Sequence, residues 1–261
     1  MDILQRIVKH KKRELDLKKE MVPVQQLEAS GLFQRPTLSL SAALRKSASG
    51  VIAEFKRRSP SRSVINHQSP VDQVAMGYEQ AGICGMSVLT DGHFFGGSLE
   101  DLLIARATTN LPLLRKDFMI DEYQFFEARA HGADVVLLIA AILDKNTIRR
   151  FTDLAHQLNL EVLLEVHDEE ELKRSLLPDI DMIGVNNRNL KTFEVSLETS
   201  RKLAPEIPEE IVKVSESGLS NIESIRELRV MGYRGFLIGE TFMVTKDPGR
   251  KAAEFIKTLE T

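Results

Sequence analysis

Cysteine and long apolar segments are scarce or missing in this chain, and each scarcity excludes a class of protein. The single cysteine, Cys84, excludes a framework of intrachain disulfides and is typical of a reducing compartment. The longest apolar run, residues 135–143, is too short to span a bilayer, and the N-terminal segment lacks the continuous apolar stretch of a secretory signal. We therefore expect a cytoplasmic protein with no membrane partner.

Positive charge is not in excess either. The chain has 35 basic and 38 acidic residues, a net charge of −3, whereas a nucleic-acid binder usually shows a basic excess. Six histidines show no spacing typical of a zinc site, and we expect surface or loop positions for all of them: His10, His67, His93, His131, His156 and His167. The composition therefore predicts neither a nucleic-acid partner nor a metal site.

The first fifty residues predict helices. Residues 2–20 form an amphipathic pattern and residues 39–46 a shorter one. The apolar face of the first pattern carries Ile3, Leu4, Ile7, Val8 and Leu15. We interpret the KHKKR run around residues 10–13 as the solvated face of this helix, with a targeting or anion-binding patch as the alternative.

After residue 50, short β-rich runs alternate with helical patterns. The strands are predicted at 51–55, 85–89, 112–115, 134–139, 160–166, 180–185, 211–215 and 235–239. The helices are predicted at 70–81, 98–109, 121–131, 144–158, 168–176, 196–204, 220–231 and 247–259. Ser98, Asp121, Asp144 and Ser220 are expected to start helices, and Gly82, Gly132 and Gly232 to end them.

This alternation predicts an α/β fold of the (β/α)8 TIM-barrel type. Eight cycles of roughly 26 residues match the length of such a barrel, about 250 residues. The alternative, an open doubly wound sheet, usually carries a Gly-rich fingerprint after its first strand, where this chain has EFKRRSPS instead. We expect a single domain over residues 1–261, with an N-terminal helical extension (1–48) and the barrel itself (49–261).

The first strand and the loop after it, VIAEFKRRSPS at residues 51–61, contain the first candidate site residues. Side chains two apart in a strand share a face, so Glu54 and Lys56 point one way and Phe55 the other. By itself this pair fits a surface ion pair as well as a functional site.

Polar side chains also follow most of the other strands. Taken singly, each group has a non-functional explanation. Lys116 and Asp117 could form an ion pair on the rim, and Glu165 could be a solvated strand end. Asn186 and Arg188 could belong to an ordinary turn. The carboxyl ends of barrel strands meet on one rim, which is where barrel enzymes place their chemistry. The repetition of Lys, Glu, Arg and Asn at six of the eight ends therefore predicts an active site.

The last two strands indicate an anion site. Ser217–Gly218 and Gly239–Glu240 follow them, and phosphate sites in such barrels are commonly formed by these loops and a helix N-terminus. We expect backbone N–H groups to bind the anion, Lys56 to supply the counter-charge, and the acidic side chain of Glu240 to point away.

Taken together, these segments resemble the indole-3-glycerol-phosphate synthase family of tryptophan biosynthesis. The matching stretches, in the family's order from residue 52 to 243, are IAEFKRRSPS, TDGHFFGGS, LLRKDF, DVVLLIAAIL, LEVLLEVHD, GVNNRNLKTF, SESGL and LIGETFM. Ser63 and Glu122 depart from the family's usual Gly and Pro, both in loops. The second domain fused to some members is expected to be absent.

The resemblance implies a carbon–carbon lyase that closes 1-(2-carboxyphenylamino)-1-deoxyribulose 5-phosphate to an indole, with loss of carbon dioxide and water. It implies Lys116 as the general acid of ring closure, with Glu165 and Lys56 as candidates for the later proton transfer to the leaving hydroxyl. Glu54 is a further acid–base or stabilising group. Asn186 and Glu216 would hydrogen-bond the polyol, and Ser59 fits the same rim.

The resemblance also divides the substrate among binding residues. Ser217, Gly218, Gly239 and Glu240 would hold the phosphate together with Lys56. Phe95 and Phe118 would pack on the aromatic ring, and Arg188 would pair with its carboxylate. No organic cofactor or metal is required.

Two other functions remain open at this point. One is a barrel isomerase acting on a phosphoribosyl compound, which needs only one acid and one base. The other is a non-catalytic phosphate-binding barrel, which should have lost Lys116 or Glu165; both are present. We expect a small phosphorylated substrate as the partner and a monomer or weak homo-oligomer.

Overall fold

Eight parallel strands close into a barrel in the computed structural model, which describes residues 2–190 and 192–261. The strands are β1 Val51–Phe55, β2 Gly85–Leu89, β3 Leu113–Lys116, β4 Val135–Ile139, β5 Glu161–Val166, β6 Met182–Asn186, β7 Val212–Glu216 and β8 Tyr233–Ile238. Each strand pairs with the next along the chain, and β8 pairs with β1. The predicted TIM barrel is confirmed.

Thirteen α-helices lie in the described ranges. They are α1 Ile3–Met21, α2 Val24–Glu28, α3 Leu40–Lys46, α4 Val71–Gln80, α5 Gly92–Phe95, α6 Leu99–Thr108, α7 Tyr123–Ala130, α8 Lys145–Gln157, α9 Glu169–Ser175, α10 Glu198–Leu203, α11 Ile222–Val230, α12 Glu240–Met243 and α13 Pro248–Glu260. Short 3₁₀ turns follow β4 (Ala140–Ile142) and α10 (Ala204–Glu206). The helices α2, α5 and α12 were not predicted, because one turn is too short to show a period.

Most predicted helix ends are confirmed. Ser98 and Asp144 cap α6 and α8 through their side chains, and the three stop glycines have positive φ. Ser220 is wrong as a cap: Asn221 accepts the Ser224 N–H and keeps the chain extended for one more residue. At α7 the cap position is Glu122, while the Asp121 carboxylate accepts the N–H of Tyr123.

Side chains along each strand point alternately into the barrel and toward the surrounding helices, which gives an inner core and an outer core. Phe55 lies in the outer core between the sheet and the helices, whereas Ile52 faces the barrel interior. Leu40 of α3 enters the interior where Gly85 leaves room, since a Cβ at Gly85 would lie 2.5 Å from Leu40 Cδ1. The helix α3 therefore packs at the amino ends of the strands, and the opposite end stays available for a site.

Lys11 of α1 is buried, which makes the solvated-face interpretation wrong for this member of the KHKKR run. It is 1% exposed, and its Nζ lies 3.0 Å from Asp91 Oδ2 and 3.1 Å from Asp117 Oδ1. The physical reason is helical spacing: Lys11 is four residues from both Ile7 and Leu15, on the apolar face.

The carboxylates around Lys11 belong to strand ends. Burial alone would raise the pKa of Asp117, but Lys11 and Arg115 hold that pKa far below its usual range. Arg115 is itself buried and also binds Glu127 of α7 at 2.6 Å. Lys11 thus joins the N-terminal helix to the residue next to Lys116.

We predict that Lys11→Met lowers the free energy of unfolding by about 3 kcal/mol, because removing one member of a buried ion cluster leaves its carboxylates without their counter-charge. Equilibrium urea unfolding measures the change. Lys12→Met is the matched control, since Lys12 is exposed on the same helix and should change stability by no more than about 0.5 kcal/mol. Equal stability of the two variants would contradict this account of Lys11.

Candidate active site

A cavity of about 570 Å³ opens at the carboxyl ends of the strands. All the residues predicted for the site line it: Glu54, Lys56, Ser59, Phe95, Lys116, Phe118, Glu165, Asn186, Arg188, Glu216, Ser217, Gly218, Gly239 and Glu240. They come from seven different strand ends and the loops after them. The closure of the barrel brings them together, as parallel strands require.

Lys116 lies between two carboxylates from across the barrel. Its Nζ is 2.9 Å from Glu165 Oε2 and 2.5 Å from Glu216 Oε2. Burial opposes the ammonium form, but Glu165, Glu216 and Glu54 raise the pKa of Lys116 above its usual value. Lys116 is therefore a charged ammonium with only 12% of its side chain exposed, not the rim ion pair with Asp117 that was the alternative.

The pKa values of the two carboxylates are shifted in opposite directions. Burial would raise the pKa of Glu165, but Lys116 and His167 lower it to about 2. Burial raises the pKa of Glu216 to about 7, and the nearby negative charges of Glu165 and Glu54 act in the same direction. One ammonium thus contacts a carboxylate and a carboxyl that binds a proton near neutral pH, a separation typical of acid–base sites.

Gly184 of β6 makes room for Glu216, and sequence reasoning missed it. A Cβ at Gly184 would lie 2.2 Å from Glu216 Oε1. That oxygen is buried and has no hydrogen-bond partner within the described ranges. Its capacity to accept a hydrogen bond is therefore unused within those ranges.

Glu54 and Lys56 form a second lysine–carboxylate pair, joined by a hydrogen bond from Lys56 Nζ to Glu54 Oε1. Glu54 is 4% exposed, so the surface-pair alternative does not hold. Gly239 packs directly against this carboxylate, since a Cβ there would lie 2.5 Å from Glu54 Oε1. The glycine after β8 therefore serves the site by its lack of a side chain.

The loop after β7 has an unusual backbone. Ser217 and Gly218 both have positive φ, 68° and 77°. A Cβ at Gly218 would lie 2.4 Å from Val195 Cγ1, so a side chain has no room there. Ser217 Oγ donates to Asn186 Oδ1 at 2.9 Å, which links the ends of β6 and β7.

The Asn186–Arg188 segment is ordered by its neighbours. Asn186 Oδ1 also accepts the backbone N–H of Arg188 at 3.0 Å. The buried side chain of Asn187 donates to three oxygens of β7 and its loop, including the carbonyl of Glu216 at 3.0 Å. The asparagines do form the hydrogen bonds of a turn, and the same turn places Arg188 at the cavity.

One predicted orientation is wrong. The side chain of Glu240 does not point away from the cavity; it lines the cavity and pairs with Arg62 of the loop after β1. Both side chains are nearly half exposed, 46% and 47%, so the pair lies at the mouth. The attraction between the opposite charges of Arg62 and Glu240, on two loops that meet at the cavity mouth, accounts for this orientation.

The apolar part of the cavity combines two predicted aromatic residues with residues of α1 that were not predicted for the site. Phe95 and Phe118 lie with ring centroids 5.9 Å apart. Ile3, Leu4 and Ile7 of α1 complete this wall. The apolar stripe of α1 was visible in the sequence, but no pattern indicated that it docks on the active-site end of the barrel.

His167 was predicted as a surface or loop residue and lies in the loop after β5, yet only 12% of its side chain is exposed. Its Nε2 is 3.4 Å from Glu165 Oε1. The available signal was its position two residues after Glu165, which puts both side chains on one face of an extended segment.

Two negative findings concern the part of the chain that the structure describes. It contains no group of three or more His, Cys, Asp or Glu side chains arranged to hold a metal ion. None of its helices combines the length and apolar character needed to cross a membrane.

Comparison with known proteins identifies the family. The family model for indole-3-glycerol phosphate synthase matches residues 4–255. An indole-3-glycerol phosphate synthase of Bacteroides thetaiotaomicron is 47% identical over 260 residues, 99% of each chain. Those of Albidiferax ferrireducens (44% identical, 98% of this chain and 99% of that one) and Caldanaerobacter subterraneus (42%, 98% of each) are also similar.

A solved structure, thiamine phosphate pyrophosphorylase from Pyrococcus furiosus, superposes with a TM-score of 0.58 over 82% of this chain and 96% of that one. At 18% identity this likeness concerns the fold alone. The family model and the relatives extend over nearly the whole chain, which therefore belongs to the indole-3-glycerol phosphate synthase family.

Proposed function

We propose that the residues at the carboxyl ends of the strands carry out this family's reaction. That reaction closes 1-(2-carboxyphenylamino)-1-deoxyribulose 5-phosphate to indole-3-glycerol phosphate, with loss of carbon dioxide and water. The observation that carries the assignment of roles is the contact of Lys116 with both Glu165 and Glu216 inside the cavity. The enzyme is a carbon–carbon lyase, and the isomerase and the non-catalytic barrel are not retained, because the chain belongs to the synthase family.

The phosphate handle fits the loops after β7 and β8. Ser217 and Gly218 line the cavity, and their backbone N–H groups are the donors that we assign to the phosphate. Gly239 and Glu240 begin the short helix α12 beside them, and both line the cavity. Lys56, whose side chain is 18% exposed, supplies the positive charge.

The anthranilate handle fits the opposite wall. Phe95 and Phe118 offer two ring faces, and the α1 side chains exclude water from that side. The Arg188 guanidinium can form a bidentate pair with the carboxylate of the ring. Asn186 and Glu216 line the cavity and suit the hydroxyls of the polyol.

Ring closure requires an acid at the ketone oxygen. The aniline nitrogen pushes electrons into its own ring, and a ring carbon attacks the ketone as that oxygen takes a proton. Lys116 is the acid, because it is charged, lines the cavity and contacts both Glu165 and Glu216. Expulsion of carbon dioxide then restores the aromatic ring without a further proton.

Dehydration requires an acid at the leaving hydroxyl and a base at the neighbouring carbon. Lys56 and Glu54 fit these roles as a pair. Lys56 protonates the hydroxyl and Glu54 accepts the proton from carbon, and their hydrogen bond returns that proton to Lys56. Glu165 is then left to serve Lys116, the group it contacts.

We also propose a cytoplasmic location, and a monomer or weak homo-oligomer remains our prediction. A phosphorylated sugar derivative is charged and does not cross a bilayer unaided, which places its enzyme where the substrate is made. The single buried cysteine is consistent with a reducing compartment.

We predict that Lys116→Ala lowers turnover by about 10²-fold or more, the range for loss of a general acid, with a smaller effect on KM. The chain has no Trp and only three Tyr, so formation of the indole is followed directly by fluorescence. Lys257→Ala, at an exposed site on α13, is the control and should keep wild-type turnover. Near-normal turnover of Lys116→Ala would refute the role.

Gly218→Ala tests the phosphate loop. The new Cβ meets Val195 and the positive φ becomes strained, so the loop should move and KM should rise about five- to ten-fold, equivalent to about 1 kcal/mol, while kcat changes little. Gly31→Ala is the control, because nothing lies within 4 Å of its Cβ position. An unchanged KM in Gly218→Ala would remove this loop from phosphate binding.

The proton affinity of Glu216 is open to direct measurement. Carboxyl-resolved NMR, assigned by comparison with Glu216→Gln, should show Glu216 titrating near pH 7. In Lys116→Met the midpoint should rise further, because Lys116 lowers the pKa of this carboxyl. A midpoint at the ordinary value of about 4.5 would contradict the described geometry.

A further inference from the structure

His167 connects Glu165 with the outside of the barrel. Its Nε2 lies 3.4 Å from Glu165 Oε1, and its Nδ1 lies 3.1 Å from Glu171 Oε2 on α9. Glu171 also accepts the backbone N–H of His167 at 2.8 Å, which holds the segment in place. The two side chains are 12% and 15% exposed, so this row of groups leads from the buried Glu165 to solvent.

The orientation of the imidazole determines which nitrogen exchanges a proton. Because a carboxylate accepts from Nδ1, the proton stays on that atom, and Nε2 is the atom that gains and loses one. Nε2 is buried and has no hydrogen-bond partner within the described residues, although it faces Glu165. Burial opposes the imidazolium, but Glu171, Glu165 and Glu216 raise the pKa of His167 above its usual value.

The reaction consumes one proton in each turnover. The substrate carboxylate leaves as neutral carbon dioxide, its bonding electron pair stays behind, and the ketone oxygen leaves as water with two protons. One of those two protons comes from substrate carbon and cycles through Glu54 and Lys56. The other comes from Lys116, which is neutral after ring closure and must regain a proton from solvent.

We propose that His167 is a positioning residue that returns this proton to Lys116 through Glu165, an inference that rests on the proposed function. The Nε2–H bond of the imidazolium breaks as an Oε1–H bond forms on Glu165. The carboxyl group then protonates the neutral amine of Lys116, 2.9 Å from Oε2. Nδ1 keeps its proton throughout. To be recharged, the ring turns until Nε2 reaches solvent beside Glu171, takes up a proton there and turns back toward Glu165.

The electrostatics make this transfer conditional on the state of Lys116. While Lys116 is charged, it is the largest of the attractions that hold the pKa of Glu165 near 2, so the carboxylate does not take a proton from His167. Once Lys116 has become neutral, that attraction is gone and Glu165 becomes a stronger base. Glu216 also contacts Lys116, but it is 2% exposed and would itself have to be refilled from solvent.

Pre-steady-state kinetics of His167→Ala test the relay. The first turnover needs only the proton already on Lys116, so a burst of one indole per site should appear at nearly the wild-type rate. The steady-state rate that follows should be about ten-fold lower than that of wild type. This loss is smaller than the loss of about 10²-fold or more expected for a direct general acid. Imidazole added to the buffer should restore it by occupying the space of the missing side chain.

Two further variants separate a relay from a structural role. His167→Gln keeps a side-chain donor but does not titrate, so it should show the same burst and slow steady state. We expect the kcat of wild type to decline as pH rises through the raised pKa of His167, and His167→Gln should lose this decline. His156→Ala is the control, since His156 forms a similar pair with Asp181 at 2.9 Å before β6, at the amino ends of the strands.

Several results would overturn the relay. They are an unchanged steady state in His167→Ala, a loss of equal size in the burst and the steady state, or no rescue by imidazole. If wild type forms no indole at all, the proposed function fails instead. If wild type forms indole and the His167 variants match it, only the relay fails.

Discussion

The contact of Lys116 with Glu165 and Glu216 is the interaction on which the rest of this site depends. It joins β3, β5 and β7 across the interior of the barrel, at distances of 2.9 and 2.5 Å. A buried ammonium between two carboxylates stays charged, and the carboxylates in turn acquire different proton affinities. The proposed acid of ring closure, the proposed route that recharges it and the proposed polyol contact all rest on this one arrangement.

A second ammonium, which is fully buried, supports the first. Lys11 of α1 neutralises Asp117, the residue next to Lys116, and thereby couples the N-terminal helix to the active-site end of the barrel. The same helix contributes Ile3, Leu4 and Ile7 to the wall of the cavity. The helical extension is therefore part of the site, and its ion cluster explains how an element outside the barrel keeps a fixed position on it.

Much of this could be read from the sequence, for definite physical reasons. The period of β and α segments predicts the barrel, and a parallel barrel places every strand's carboxyl end on one rim, so Glu54, Lys116 and Glu165 had to be close. Contacts that depend on how segments distant in the sequence pack against each other were not predictable. Lys11 was misread because its charge outweighed its position on the apolar face, and Glu240 because its partner, Arg62, lies on a distant loop.

The central claim is that Lys116, not Lys56, delivers the proton of ring closure. A crystal structure with a substrate analogue whose ketone is reduced to an alcohol tests it most directly. We expect Lys116 Nζ within about 3 Å of that oxygen, hydrogen-bond reach for a general acid, with Glu165 still in contact with Lys116. An analogue whose oxygen contacts Lys56, with Lys116 held away by its carboxylates, would contradict the account.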